Sequence, residues 1–192
     1  MKEHLIRLPH EILAKMHADD PKQCEPRYQD PSDWQVPIFM EHPITKAHGA
    51  RTTIPLTLYS DSTPHSTWDS FYTCYLQISW QKKESSRILL WCITKSACCK
   101  CGCKARCTLD ELFRITIWSL NQCGEGQWPT ARHDGLPWRS VDAIRAGKSG
   151  SLGFHGAMIQ YRGDWQEFRA CTQCVFSKLV LCLLMLLMLR LL

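Results

Sequence analysis

The 192 residues are 45% hydrophobic and include eight tryptophans, enough for the core of one domain plus an appendage. Ten prolines and ten glycines are too few for a disordered or collagen-like chain. The formal charge of +5 is uneven. Residues 1–81 hold seven basic and ten acidic groups, residues 82–109 seven basic groups and only Glu84, and residues 110–192 nine basic and seven acidic groups. The positive excess therefore lies in one segment. Such a segment is either an attractor of phosphates or a solvated surface stretch.

The first residues, among them Lys2, Glu3, His4 and Arg7, include no apolar run, so no secretory signal is expected. Residues 9–17 predict a short amphipathic helix. Pro9 suits its first turn, and Ile12, Leu13 and Met16 share a face. Residues 19–50 are polar and punctuated by Pro21, Pro26, Pro31, Pro37 and Pro43. They read as an irregular arm anchored by Trp34 and Phe39. Strands are expected over 54–60, ending at Asp61, over 71–80, and over 87–94 with Ile88, Leu89, Leu90 and Trp91 buried. A mostly buried helix starts at Thr108, where Thr108 and Glu111 have capping-box spacing, and ends near Gly124 and Gly126. Ser140 caps a shorter helix stopping at Gly147. A fourth strand covers 156–161 and ends at Gly163 and Asp164, and residues 165–171 read as helical.

Between the third strand and the long helix, Cys98, Cys99, Cys101, Cys103 and Cys107 fall within one short run. Without a secretory signal, a chain of twelve cysteines points to reduced thiols and metal rather than a disulfide framework. Alternate residues of a straight strand are about 7 Å apart, too far for one zinc ion bound at about 2.3 Å. Gly102 lets the backbone fold back. Cys99, Cys101, Cys103 and Cys107 then supply three or four ligands, with Lys100, Lys104 and Arg106 offsetting their charge. Structural zinc is the expected cofactor; free or oxidised thiols are the alternative. His133 is a further candidate ligand. Cys171 and Cys174 form a C-x2-C pair, which carries little weight in a chain so rich in cysteine. With Lys82, Lys83 and Arg87, the basic residues of the cysteine run make up a candidate nucleic-acid surface.

Asp61 and Asp164 each close an expected strand. The order strand, strand, strand, helix, strand, helix resembles the opening of an RNase-H-like domain. There the first and fourth strands are parallel neighbours, and two carboxylates at one sheet edge hold Mg2+ ions about 4 Å apart for phosphodiester chemistry. Aspartates are also ordinary turn residues at strand ends.

The segments Ile54-Pro55-Leu56-Thr57-Leu58-Tyr59-Ser60-Asp61, Asp69-Ser70-Phe71, Cys99-Lys100-Cys101-Gly102-Cys103-Lys104 with Cys107-Thr108-Leu109, Arg132-His133-Asp134-Gly135 with Pro137-Trp138, and Arg162-Gly163-Asp164-Trp165 carry a resemblance. Together, over roughly 50–168, they resemble an uncharacterised multi-copy family of algal protists. Its layout is in turn similar to DDE-type transposase-derived proteins. That resemblance implies that Asp61 and Asp164 are the first two metal-binding carboxylates. It also implies a third carboxylate after a fifth strand and a later helix, for which no room follows Asp164. The expectation is a truncated, catalytically inactive relative with a vestigial Mg2+ site.

The fold expected is α/β: a partial RNase-H-like mixed sheet of three antiparallel strands, a helix and a fourth strand. An arm (1–50) precedes this domain (51–170), which contains the cysteine-rich insert 98–107, and an apolar helical tail (171–192) follows it. In the tail, 179–189 is uninterruptedly apolar, and 175–192 is broken only by Ser177, Lys178 and Arg190. As a helix, 175–192 would span about 27 Å, just short of a bilayer core. The alternatives are thus a C-terminal membrane anchor on a small interaction protein, an orphaned core helix, or an out-of-frame end. Location is expected to be nuclear or cytoplasmic in the first reading and membrane-bound in the second. No phosphate-binding loop, dinucleotide fingerprint or Ser/His/Asp constellation is present.

Overall fold

The computed structural model describes residues 5–24, 35–64, 66–79 and 87–163. Helix α1 (Pro9–Asp19) opens with a proline whose missing N–H costs nothing in a first helical turn. Strands β1 (Thr53–Pro64) and β2 (Ser70–Ile78) form an antiparallel hairpin, and β3 (Arg87–Thr94) pairs antiparallel with β2. The long helix α4 (Arg106–Glu125) follows the cysteine run. After it come the short α5 (Ala143–Ala146) and β4 (His155–Gly163). The sheet order is β3-β2-β1-β4, with β4 parallel to β1. The chain is thus a mixed α/β fold, with the expected parallel pairing of first and fourth strands.

β1 is buried on both faces from Thr53 to Leu58, and one of those faces joins the main core. Leu56, Leu58 and Ser60 of β1 stand opposite Ile78, Leu76 and Cys74 of β2, and all six are buried. Leu109, Leu112, Phe113, Leu120 and Cys123 of α4 belong to the same core, as does Leu13 of α1. Trp91 of β3 meets Phe113 edge-on, with ring centroids 5.3 Å apart, and its indole N–H donates to Thr116 Oγ1 at 3.1 Å. That bond matters because a buried indole N–H without an acceptor costs about 1–3 kcal/mol. Gly156 of β4 lies directly under α4. A Cβ there would stand 2.8 Å from Cys123 Cβ and 2.9 Å from Leu56 Cδ1.

Several expectations need correction. The arm is not irregular throughout: α2 (Gln35–Glu41) and α3 (Pro43–His48) fold against β4, α3 also reaching β1. Pro37 and Pro43 sit in first turns, where backbone N–H groups have no helical acceptor anyway. Phe39 is fully buried, as expected. Leu89 is exposed, because a bulge shifts the β2–β3 register between Cys74 and Tyr75. Cys74 pairs with Trp91 and Tyr75 with Leu89, so Leu90 is the extra residue and adjacent Leu90 and Trp91 are both buried. Ser140 caps nothing. It begins a 3-10 turn (Ser140–Asp142) that runs into α5.

Among the described residues no helix is long and apolar enough to cross a membrane. The tail 171–192, the expected helix 165–171, Trp34 and the Cys171/Cys174 pair lie outside the described residues.

Candidate metal centre

A strand end, a turn and a helix start build the site. Past Thr94 the chain makes a 3-10 turn (Lys95–Ala97), and Cys98 goes into the core, its thiol 3.6 Å from Thr94 O. Gly102 then takes φ 85°, which only glycine adopts readily, and reverses the backbone. Lys104 (φ 55°) and Ala105 (φ 70°) follow in the left-handed region, where each non-glycine residue costs about 1–2 kcal/mol. This coil draws in the four cysteines at 99, 101, 103 and 107. Their sulfurs all lie within 4.8 Å of one another. Cys99 and Cys103 are 3.2 Å apart, Cys101 and Cys107 3.7 Å.

These separations suit a single ion. Four thiolates at about 2.3 Å from a tetrahedral centre stand about 3.8 Å from each other. Closing this cluster on a metal therefore needs only small side-chain adjustments, and the four cysteines are able to hold a metal ion. Cys98, the fifth cysteine of the run, is set apart by its burial.

The helix start supplies positive potential and N–H groups to this cluster. The sulfurs lie at the amino end of α4, the positive pole of a long helix. The Cys107 backbone N–H donates to Cys103 Sγ at 3.3 Å. The Cys99 backbone N–H donates to Thr108 Oγ1 at 2.9 Å. Thr108 is thus not half of a capping box: α4 starts two residues earlier, and Ala105 at its N-cap has no side-chain acceptor. Glu111 instead pairs with Arg114, 2.6 Å away. Hydrogen bonds from Cys103 and Thr108 lower the Cys99 thiol pKa to about 6. Cys107 is pushed up to about 12 by its hydrogen bonds with Cys103 and Cys101 and by their charge. One sulfur thus ionises early while another keeps its proton, so metal entry must displace protons.

Other sequence candidates fall elsewhere. His133 lies 3.4 Å from Glu111 and beside Trp118, with ring centroids 6.1 Å apart, and it is not part of the sulfur cluster. Lys100, Lys104 and Arg106 are exposed around the cluster. Arg87 is not with them. It opens β3, seven residues before Thr94, which is about 23 Å along an extended strand, and its guanidinium lies over the Tyr59 ring at 5.6 Å. Lys82, Lys83 and Asp164 lie outside the described residues. Asp61 does not close β1, which continues to Pro64. Its carboxylate accepts from the Tyr59 hydroxyl at 3.0 Å and from Ser62 N–H at 2.8 Å.

Two partners of the site were not legible as such in the sequence. Thr108 serves the site through the Cys99 N–H. Asp69, at the β1–β2 turn, accepts from Ser96 N–H at 3.1 Å and Ser96 hydroxyl at 2.5 Å, tying that hairpin to the turn leading into the cysteines. The first bridges the cysteine turn and the helix start nine residues on, and the second joins two elements 27 residues apart.

Compared with family models, curated proteins and solved structures, the chain matches none of them.

Proposed function

We propose that this protein is a nucleic-acid-binding relative of transposase-type proteins, held together by one structural zinc ion and without nuclease turnover. The observation that carries the reading is the four-sulfur cluster at the amino end of α4, set in the most basic segment of the chain. Soft thiolate sets favour zinc over magnesium or calcium. A closed set of four cysteines leaves no open position for substrate, which is the mark of a structural site. Cys99 and Cys103 are half-buried, Cys101 and Cys107 exposed, as suits a staple on the surface.

The RNase-H-like part of the reading draws on topology. The β3-β2-β1-β4 order with parallel β1 and β4 is the arrangement such a domain would have. The last described pair of that ladder, Ser60 with Gly163, immediately precedes Asp61. The non-catalytic part draws on Asp61 itself. Its carboxylate oxygens each accept a hydrogen bond, from Tyr59 and from Ser62, a local turn role that competes with binding of a Mg2+ ion.

Exposed Lys100, Lys104 and Arg106 would meet phosphates, so binding should weaken steeply with salt. The test is a titration of purified zinc-loaded protein with labelled DNA and RNA at two salt concentrations, with and without Mg2+ or Mn2+. Salt-sensitive binding without cleavage is expected. Robust cleavage that disappears in Asp61→Asn would overturn the non-catalytic reading, and no binding at low salt would overturn the whole.

A further inference from the structure

Trp68, at the tip of the β1–β2 hairpin, is 93% exposed. An indole so bare is unusual, because tryptophan buries more apolar surface than any other side chain when it is allowed to. The backbone beneath it is fixed. Ser66 Oγ accepts from both Trp68 N–H at 3.3 Å and Asp69 N–H at 3.0 Å, and Ser66 N–H donates to Asp69 O at 3.1 Å. Asp69 is in turn bonded to Ser96 through both carboxylate oxygens. Ser96 lies two residues before Cys98 and four before Lys100. Phe71 pairs with Thr94, so the hairpin tip and the cysteine turn occupy the same end of the sheet. Around them Lys95, Lys100, Lys104 and Arg106 are exposed.

We infer that Trp68 is a base-stacking residue of a single-stranded nucleic-acid site whose phosphate contacts come from Lys95, Lys100 and Lys104. The inference rests on the nucleic-acid reading above and names the nucleic acid's form. Bases in a duplex are stacked on one another and offer no free face to an indole. Splayed single-stranded bases do, and an aromatic ring on a positively charged surface is how sequence-tolerant single-strand binders hold them. The fixed turn limits the backbone entropy lost when a base docks. Charge decides for a polyanion over an apolar peptide: Lys95, Lys100, Lys104 and Arg106 are all exposed on the turn and helix start that hold the cysteines.

The experiment uses the full zinc-loaded chain and three probes: a labelled oligothymidylate of about 20 nucleotides, a duplex of the same length, and phosphatidylserine vesicles. Trp68→Ala should weaken oligothymidylate binding about tenfold and leave the salt slope unchanged, and Trp68→Phe should restore most of the affinity. Lys100→Ala should instead reduce the salt slope, by about 0.7 if one phosphate contact is lost. Because Trp68 is bare, its removal leaves no cavity, and unchanged zinc content verifies the fold. Wild-type affinity in Trp68→Ala would overturn this inference while leaving the broader reading intact, as would tighter binding to duplex than to single strand. Binding to vesicles with none to either oligonucleotide would overturn both.

Discussion

The backbone N–H of Cys107 points at the sulfur of Cys103, 3.3 Å away. A cysteine of the candidate metal centre therefore does for α4 what serine or aspartate does for other helices: it accepts one of the N–H groups that the first turn leaves unpaired. The four-cysteine cluster and the helix start are one structure. Loading the site should consequently order the first turn of α4. Hydrogen exchange across 106–110 should slow on addition of zinc and accelerate with chelator, while 115–123, held by the core, should change little. Equal protection in both states would separate the site from the helix.

Thr108 gives a second test of the same joint. Its hydroxyl accepts from Cys99 N–H at 2.9 Å, so Thr108→Val leaves that donor unpaired. A loss of about 1 kcal/mol in stability and of about tenfold in zinc affinity should follow, read by denaturation and by competition with a chromogenic chelator. Glu111→Ala should cost under about 0.5 kcal/mol, because its pairing with Arg114 is half exposed. If Glu111 instead mattered more than Thr108, a capping box would be operating after all.

The joint between α1 and α4 should make stability depend on pH. His10 is fully buried. Its backbone N–H donates to Ser119 Oγ at 3.1 Å, and its Nδ1 lies 2.7 Å from the same oxygen. Burial lowers its pKa from 6.5 to about 4, so the folded ring is neutral and we assign Nδ1 as acceptor of the Ser119 proton. Between these values the unfolded chain binds a proton that the folded one refuses. The stability is thus complete above pH 6.5 and is lost as pH falls toward 4, by about 3 kcal/mol in all. Denaturation midpoints measured from pH 7 to pH 4 should fall accordingly. His10→Asn, which keeps an acceptor but does not titrate, should flatten that limb.

Gly156 marks the tightest approach of helix to sheet. An added methyl would meet Cys123 Cβ at 2.8 Å and Leu56 Cδ1 at 2.9 Å, and neither has free space to retreat into. Gly156→Ala should cost about 1–3 kcal/mol by overpacking, visible as a lowered thermal midpoint. An unchanged midpoint would place α4 farther from β4 than described.

Where local pattern governs, the sequence is readable. Residues 87–94, an apolar run set between a polar turn and the cysteines, give β3 its observed bounds, and Pro9 marks the start of α1. The choice of Cys99, Cys101, Cys103 and Cys107 over Cys98 followed from a spacing that Gly102 allows to fold back, and the sulfurs do converge. What stayed hidden depends on partners distant in the chain. Pro37 and Pro43 look like breakers until each is seen in a first helical turn. Leu89 looks as apolar as Leu90, and only the bulge opposite Tyr75 decides which is buried. Thr108 carries a strong capping pattern, yet Cys99 claims its hydroxyl. Asp61 reads as a strand end because Ser62, Thr63 and Pro64 look like a turn, whereas pairing with Tyr72, Phe71 and Ser70 carries the strand through them.

The most direct measurement is the metal content of the purified chain, by elemental analysis, beside a variant with Cys99, Cys101, Cys103 and Cys107 all replaced by serine. One zinc per wild-type chain and none in the variant is the result predicted. A wild-type chain that emerges without metal and takes up none from added zinc would contradict it, as would a variant that keeps its zinc.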